Sequence, residues 1–160
     1  MKRVAVFVDV QNIYYTTKQA FGRSFDYRKL WVDLEFLGEI VLANAYAIES
    51  NNLGQQKFQN ALRAIGFDVK LKPYIQRRDG TAKGDWDVGI TLDVVDAAPS
   101  VDIIVLLSGD GDFSLLLEKI RKDHAVSTHV YGVKPLTAKG LIDSADRFTS
   151  IDTQFLQKPQ

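Results

Sequence analysis

Four aspartates, Asp9, Asp87, Asp110 and Asp112, carry the densest chemistry in this chain. Carboxylates crowded together repel one another unless a divalent cation neutralises them, and an all-oxygen donor set suits hard ions such as Mg²⁺ or Mn²⁺. Metal-assisted phosphoryl chemistry is the reaction such a site performs. Asp9 and Asp112 lie far apart along the chain, so whether the four meet depends on where the strands end.

Short, β-branched apolar runs cover residues 4–8, 40–48, 67–71, 101–107 and 126–131. They are continuous rather than alternating, as in strands buried on both faces. Helical spacing separates them: Leu30, Leu34 and Leu37 within 27–37, Phe58, Leu62 and Ile65 within 53–65, then 86–97 and 113–121. A last helix is expected over 136–145 and a short strand near 148–151. This alternation predicts βαβ units, and hence a doubly wound, mainly parallel α/β sheet with helices on both faces. The strand order 3-2-1-4-5 is assumed for it. Ligands of such sheets sit outside the carboxyl ends of the strands. Asp9 ends the first strand, Asp110 and Asp112 follow the strand that ends at Leu107, and Asp87 opens a helix. All four then reach one edge.

A second account of these acids is helix capping. Asp110 and Asp85 stand where N-caps stand, and Asp87 and Asp112 suit the positive end of a helix dipole. Capping does not explain Asp9, which follows a buried strand with no helix-start signal of its own. Nor does it explain Asn12, whose amide could hold a metal-bound water or a phosphate. Ser108 lies in the tight turn before the acids and suits a hydrogen bond to carboxylate or phosphate. Other chemistries are excluded more firmly. A calcium loop counted from Asp110 would need glycine at Leu115 and glutamate at Arg121. There is no phosphate loop of the Walker kind, and Gly109-Asp110-Gly111 lacks the third glycine of a dinucleotide fingerprint. Gln11 stands where an aspartyl phosphatase would need a second acid. The chain has no cysteine, which removes disulfides, thiolate zinc sites and cysteine nucleophiles together. His124, at a helix end, and His129, within a strand, are expected to stay outside the cluster.

Residues 72–84 form a long polar connection, and such connections are more often functional than short ones. Lys70, Lys72, Arg77, Arg78 and Lys83 cluster around it with Tyr74 among them, a candidate phosphate-backbone footprint with one stacking platform. A solvated basic face is the plainer alternative. Twenty basic and twenty acidic side chains cancel, so bulk charge selects neither for nor against nucleic acid. The apolar run after Lys2-Arg3 is too short for a signal sequence, and no stretch approaches membrane-spanning length. A cytoplasmic protein with no membrane partner is expected. Its 160 residues suit one domain over 1–153, followed by a flexible tail at 154–160.

Three ordered motifs bear a resemblance. Phe7-Val8-Asp9-Val10-Gln11-Asn12, then Lys83-Gly84-Asp85-Trp86-Asp87-Val88 with Asp93 beyond it, and Ser108-Gly109-Asp110-Gly111-Asp112-Phe113 resemble the NYN domains of the LabA-like type, within the PIN-like nuclease superfamily. Ala145-Asp146-Arg147-Phe148 is similar to that family's usual ending, and the resemblance runs from about Arg3 to Asp152. It implies an α/β sandwich and a Mg²⁺- or Mn²⁺-dependent ribonuclease acting on single-stranded or structured RNA. Asp9, Asp87, Asp110 and Asp112 would be its metal-associated acids, with Asn12 and Ser108 as polar supports. Its products would carry a 5′-phosphate and a 3′-hydroxyl. Asp93 falls roughly 240° around the helix from Asp87 and is expected outside the first coordination sphere. Asp85-Trp86 departs from the family pattern, and Asp85 either caps the helix or adds a fifth acid. A non-catalytic RNA-binding or regulatory module on the same fold is the rival function, and a phosphatase-like hydrolase a more distant third. A homodimer is compatible with each.

Overall fold

The computed structural model describes residues 1–73, 75–76, 82–83 and 85–159, the two short middle pairs by backbone alone. In chain order the elements are β1 (Arg3–Asp9), α1 (Val10–Phe21), α2 (Tyr27–Glu35), β2 (Glu39–Ile48), α3 (Leu53–Ile65) and β3 (Asp68–Lys72). Next come β4 (Ile75–Gln76), β5 (Ala82–Lys83), α4 (Asp87–Ala97), β6 (Ile103–Leu107) and α5 (Ser114–Asp123). The chain closes with β7 (Ser127–Gly132), α6 (Lys139–Ser144) and β8 (Arg147–Ser150). Six strands form one sheet in the order β3-β2-β1-β6-β7-β8, and every neighbouring pair is parallel. With the β4–β5 hairpin set aside, this is the expected doubly wound order extended by one strand.

The unbroken apolar run of β1 is divided between two cores by the two-residue period of a strand. Val4, Val6 and Val8 pack with Val10 and Ile13 of α1, Leu30 and Leu34 of α2 and Leu62 of α3. Ala5 and Phe7 face the other way, onto Ile90 and Val94 of α4, Leu116, Leu117 and Ile120 of α5 and Leu141 of α6. Right-handed crossovers that run one way from β1 to β2 and the other way to β6 put the two helix sets on opposite faces. The gap between β1 and β6 is therefore the switch point. Among the described residues no helix is long and apolar enough to cross a membrane.

Four local expectations need correction. A helix, α1, starts immediately after Asp9, where no start signal was legible. Its sequence is rich in Thr and Tyr, which are indifferent helix formers, and its buried positions are only Val10, Ile13 and Thr17. Packing holds it, and Gly22, at φ 63°, ends it in a left-handed cap. The stretch after Lys72 is not wholly irregular, since Ile75–Gln76 and Ala82–Lys83 pair antiparallel. The helix expected over 136–145 is shorter, because a 3₁₀ turn, Lys134–Leu136, closes at Thr137 in extended conformation and α6 starts only at Lys139. The tail is not loose from residue 154. Phe155 and Leu156 are buried in the core, Leu156 bridges Phe25 and Gln157 N–H donates to the Ser24 carbonyl.

Candidate metal centre

Val8 and Leu107 are paired at the ends of β1 and β6, so Asp9 and Ser108 leave the sheet side by side. Ser108 is fully buried. Its hydroxyl donates to Asp9 Oδ2 at 3.0 Å and accepts from the Asp110 N–H at 3.1 Å. Asn12, in the first turn of α1, accepts through Oδ1 from the Gly109 N–H at 2.9 Å. A Cβ on Gly109 would lie 2.6 Å from the Leu136 carbonyl oxygen, so only glycine lets the turn pass so close.

Beyond this turn, Asp110 Oδ1 accepts from the Asp112 N–H at 2.9 Å, capping the 3₁₀ turn that leads into α5. The opposite wall is the start of α4. Trp86 Nε1–H donates to the Ala47 carbonyl at 2.8 Å, and its ring lies 5.2 Å from that of Tyr46. Asp85 Oδ1 accepts from the Asp87 N–H at 3.2 Å. A Cβ on Gly89 would come within 2.5 Å of the Trp86 ring, so helix and indole fit only with glycine there. Held from both sides, Asp87, Asp110 and Asp112 each bring one carboxylate oxygen within 4.8 Å of the others. Capping and clustering thus coexist at Asp110, since a carboxylate has two oxygens and several lone pairs.

The electrostatics follow from this crowding. Desolvation pushes Asp87 up to about 7, helped by its hydrogen bond with Asp110 and by the charges of Asp110, Asp85 and Asp9. Burial likewise raises Asp9, against the Ser108 hydroxyl and the Asn12 N–H, which favour its charge. Asp9 holds the cap position of α1, and the Asn12 N–H favours its charge without meeting the geometry of a full capping hydrogen bond. An octahedron of roughly 2.1 Å bonds spaces its oxygens about 3–4 Å apart. Three oxygens within 4.8 Å of one another are a small side-chain adjustment from sharing one hard cation.

The structure therefore gathers three of the four expected acids into a cluster. Asp9 stands beside it, joined through the Ser108 hydroxyl to the Asp110 backbone. Asn12 is used to hold the Gly109 turn. Asp85 caps the first turn of α4. Asp93 lies elsewhere, accepting from the Tyr46 hydroxyl at 2.7 Å. Asp146 accepts from the Thr128 N–H at 2.8 Å and pairs with Arg121 at 2.9 Å. His129 is buried in β7, with Nε2 3.2 Å from the Ser127 hydroxyl, and His124 follows the end of α5.

Of the basic group, Lys70 pairs with Asp68 at 3.5 Å. The Lys72 ammonium donates to the Asp85 carbonyl at 2.9 Å and sits 4.5 Å from the Trp86 ring centre, so it braces the α4 start. Tyr74, Arg77 and Arg78 lie outside the described residues, as does the side chain of Lys83. The brace formed by Tyr46, Trp86 and Lys72 was not foreseen. Its one sequence signal is a tryptophan just ahead of an acid-started helix with glycine three residues on.

A family model of the NYN domain matches residues 3–152. The low amplitude and bright protein LabA of Synechococcus elongatus is 30% identical over 170 aligned residues, which cover 99% of this chain and 89% of LabA. A crystal structure of a protein of unknown function from Vibrio parahaemolyticus superposes with a TM-score of 0.93 at 54% identity. That match covers 98% of this chain and 96% of the other.

Proposed function

The chain belongs to the NYN domain family, and from that premise we propose that it is a divalent-metal-dependent ribonuclease. The observation that carries this reading is the carboxylate cluster at the switch point, three oxygens within 4.8 Å, with Asp87 pushed up to about 7 by burial and by its acidic neighbours. Asp87, Asp110 and Asp112 would hold Mg²⁺ or Mn²⁺, with Asp9 alongside. Such an ion, when bound, offsets the charge of a phosphodiester and makes a neighbouring water a better nucleophile.

The chain's own residues supply the rest. Ser108 fixes the Asp9 carboxylate by donating to Oδ2, and its oxygen orients the Asp110 backbone. Asn12 ties the turn to α1, so that the two halves of the edge keep their spacing. Asp87 must release its proton to serve as a ligand, which couples cation binding to pH. Lys70, with Tyr74, Arg77, Arg78 and Lys83, is assigned to the RNA backbone, while the Lys72 ammonium is committed to the α4 brace.

Labelled RNA, single-stranded DNA and a generic phosphomonoester, each incubated with pure protein in Mn²⁺ or in EDTA, test the assignment. RNA cleavage that requires Mn²⁺ is the expected result. Binding of RNA without cleavage under any metal would replace it with a non-catalytic RNA-binding role. Hydrolysis of the phosphomonoester alone would replace it with a phosphatase.

A further inference from the structure

Resting on that ribonuclease reading, we infer that a cavity on the α1–α3 side of the same edge seats one unstacked base of the RNA whose phosphate meets the aspartates. The cavity measures about 610 Å³, within the usual range of small-ligand sites and roomy enough for a nucleoside. Its wall begins at Val10 and Gln11, directly after Asp9, and includes residues 47–50 at the carboxyl end of β2, the strand beside β1. The triad stands on the α4–α5 side of the switch point. Asp9 therefore separates two unlike compartments of one edge.

The lining is that of a base site. Tyr27, buried, and Phe58 supply an aromatic floor. Tyr14, on the outer lip, is 48% exposed, a flat ring offered to solvent. Gln11 and Gln55 are among the lining residues, and their amides can both donate and accept. Aromatic stacking combined with edge hydrogen bonds is how proteins take up unstacked bases.

Charge decides which part of a nucleotide enters. Among the described residues no lysine, arginine or histidine lines the cavity, and Glu49 is the one charged residue in its lining. A phosphate would meet Glu49 with no described cation to offset it, whereas the amino and imino N–H groups of a base would find an acceptor. An acyl chain would instead leave the half-buried Gln11 amide unpaired. The edge thus divides its work: carboxylates with a cation take the phosphate, and the aromatic, amide-lined cavity takes a neighbouring base.

The test is anisotropy of a fluorescein-labelled single-stranded RNA decamer in EDTA, where cleavage cannot interfere. One nucleotide at a time is replaced by an abasic ribose. One abasic position should weaken binding to wild type about tenfold, the scale of a lost stacking contact. Tyr14→Ala should cause a similar loss on intact RNA and add nothing at that abasic position. Tyr14→Phe should restore binding, and Gln55→Ala should alter which base is preferred there. Both side chains are at the surface, so unchanged melting temperatures will show that the variants fold. Equal binding of every abasic decamer and of both alanine variants would overturn the base site. Cleavage in Mn²⁺ is measured on the same proteins. Wild type that cleaves but ignores abasic positions loses only the cavity assignment, and wild type that senses them but never cleaves loses only the nuclease. Failure to bind RNA in EDTA and in Mn²⁺ alike removes both.

Discussion

Two sets of aspartates in this molecule, all within motifs of the family, live under opposite rules. Asp93 and Asp146 are each satisfied by the protein. The first takes the Tyr46 hydroxyl at 2.7 Å, and the second takes a buried strand N–H at 2.8 Å and an arginine at 2.9 Å. Asp87, Asp110 and Asp112 are given one another instead, and burial with mutual repulsion holds Asp87 at about 7. An acid with an internal partner is a fastener. Acids whose nearest neighbours are acids repel one another, at some cost to the fold, and under the proposed function a cation would offset that cost. Aspartate identity is the same in both sets, so only the partners separate structural from chemical roles.

The largest expected effect would break that comparison outright. Asp112→Asn keeps the shape and removes the charge, and should cut RNA cleavage at least ~100-fold without unfolding the protein, as loss of one strong electrostatic group does. Asp9→Asn should do likewise, while Asp93→Asn should retain cleavage. Full activity in a folded Asp9→Asn/Asp112→Asn protein, free of contaminating nuclease, would leave the cluster without a catalytic role.

For the satisfied set the loss should appear in stability. Asp146→Ala strands the Thr128 N–H, a donor on a fully buried residue, and should cost about 2 kcal/mol in urea unfolding. Asp146→Asn keeps an acceptor oxygen and should cost less. Equal stability of the alanine variant and wild type would mean that Asp146 fastens nothing.

A smaller effect sharpens the contrast through pH. The Asp87 carboxyl is raised from an ordinary 3.8 to about 7, so its bound proton favours the folded state. That contribution is complete below the unfolded value and is lost as pH rises through the folded one. In EDTA, the melting temperature of wild type relative to Asp87→Asn should therefore fall as pH climbs from about 4 to 7. Mn²⁺ should stabilise wild type by mass action, more above pH 7 than below it, and the variant less. A pH-independent difference between the two proteins would show that the repulsion is relieved some other way.

The smallest effect concerns the basic residues. Lys70→Ala should lower the slope of log affinity against log salt for single-stranded RNA by roughly 0.7. Lys29→Ala, on α2, should change it far less. Identical slopes for the two would show Lys70 to be merely a partner of Asp68.

Much of the fold was legible because burial on both faces leaves unmistakable residue types. Continuous runs such as Val-Ala-Val-Phe-Val can only be interior parallel strands, and their alternation with 3.6-period helices dictates the wound sheet. The acids were legible for a related reason: a carboxylate directly after such a run has nowhere to go but the carboxyl edge. Helix α1 was not legible, because its stability comes from Val10, Ile13 and Thr17 meeting the sheet and hardly from intrinsic preference. The packed tail was missed likewise, since Phe155 and Leu156 announce burial only once Phe25 is there to receive them.

By itself, then, the order of residues determined the strands, their alternation with helices and the list of aspartates, because these follow from local patterns of burial and strand ends. The strand order was assumed and comes from the structure. Tertiary structure decided which aspartates share an ion's space and which are spoken for. It put Asp9 one hydroxyl away from the triad, turned Asn12 inward to the Gly109 turn and committed Lys72 to Trp86. It also set an aromatic cavity against a crowd of carboxylates across a single strand end. These are distances between groups far apart in the chain, and only the closed packing of helices on both faces sets them.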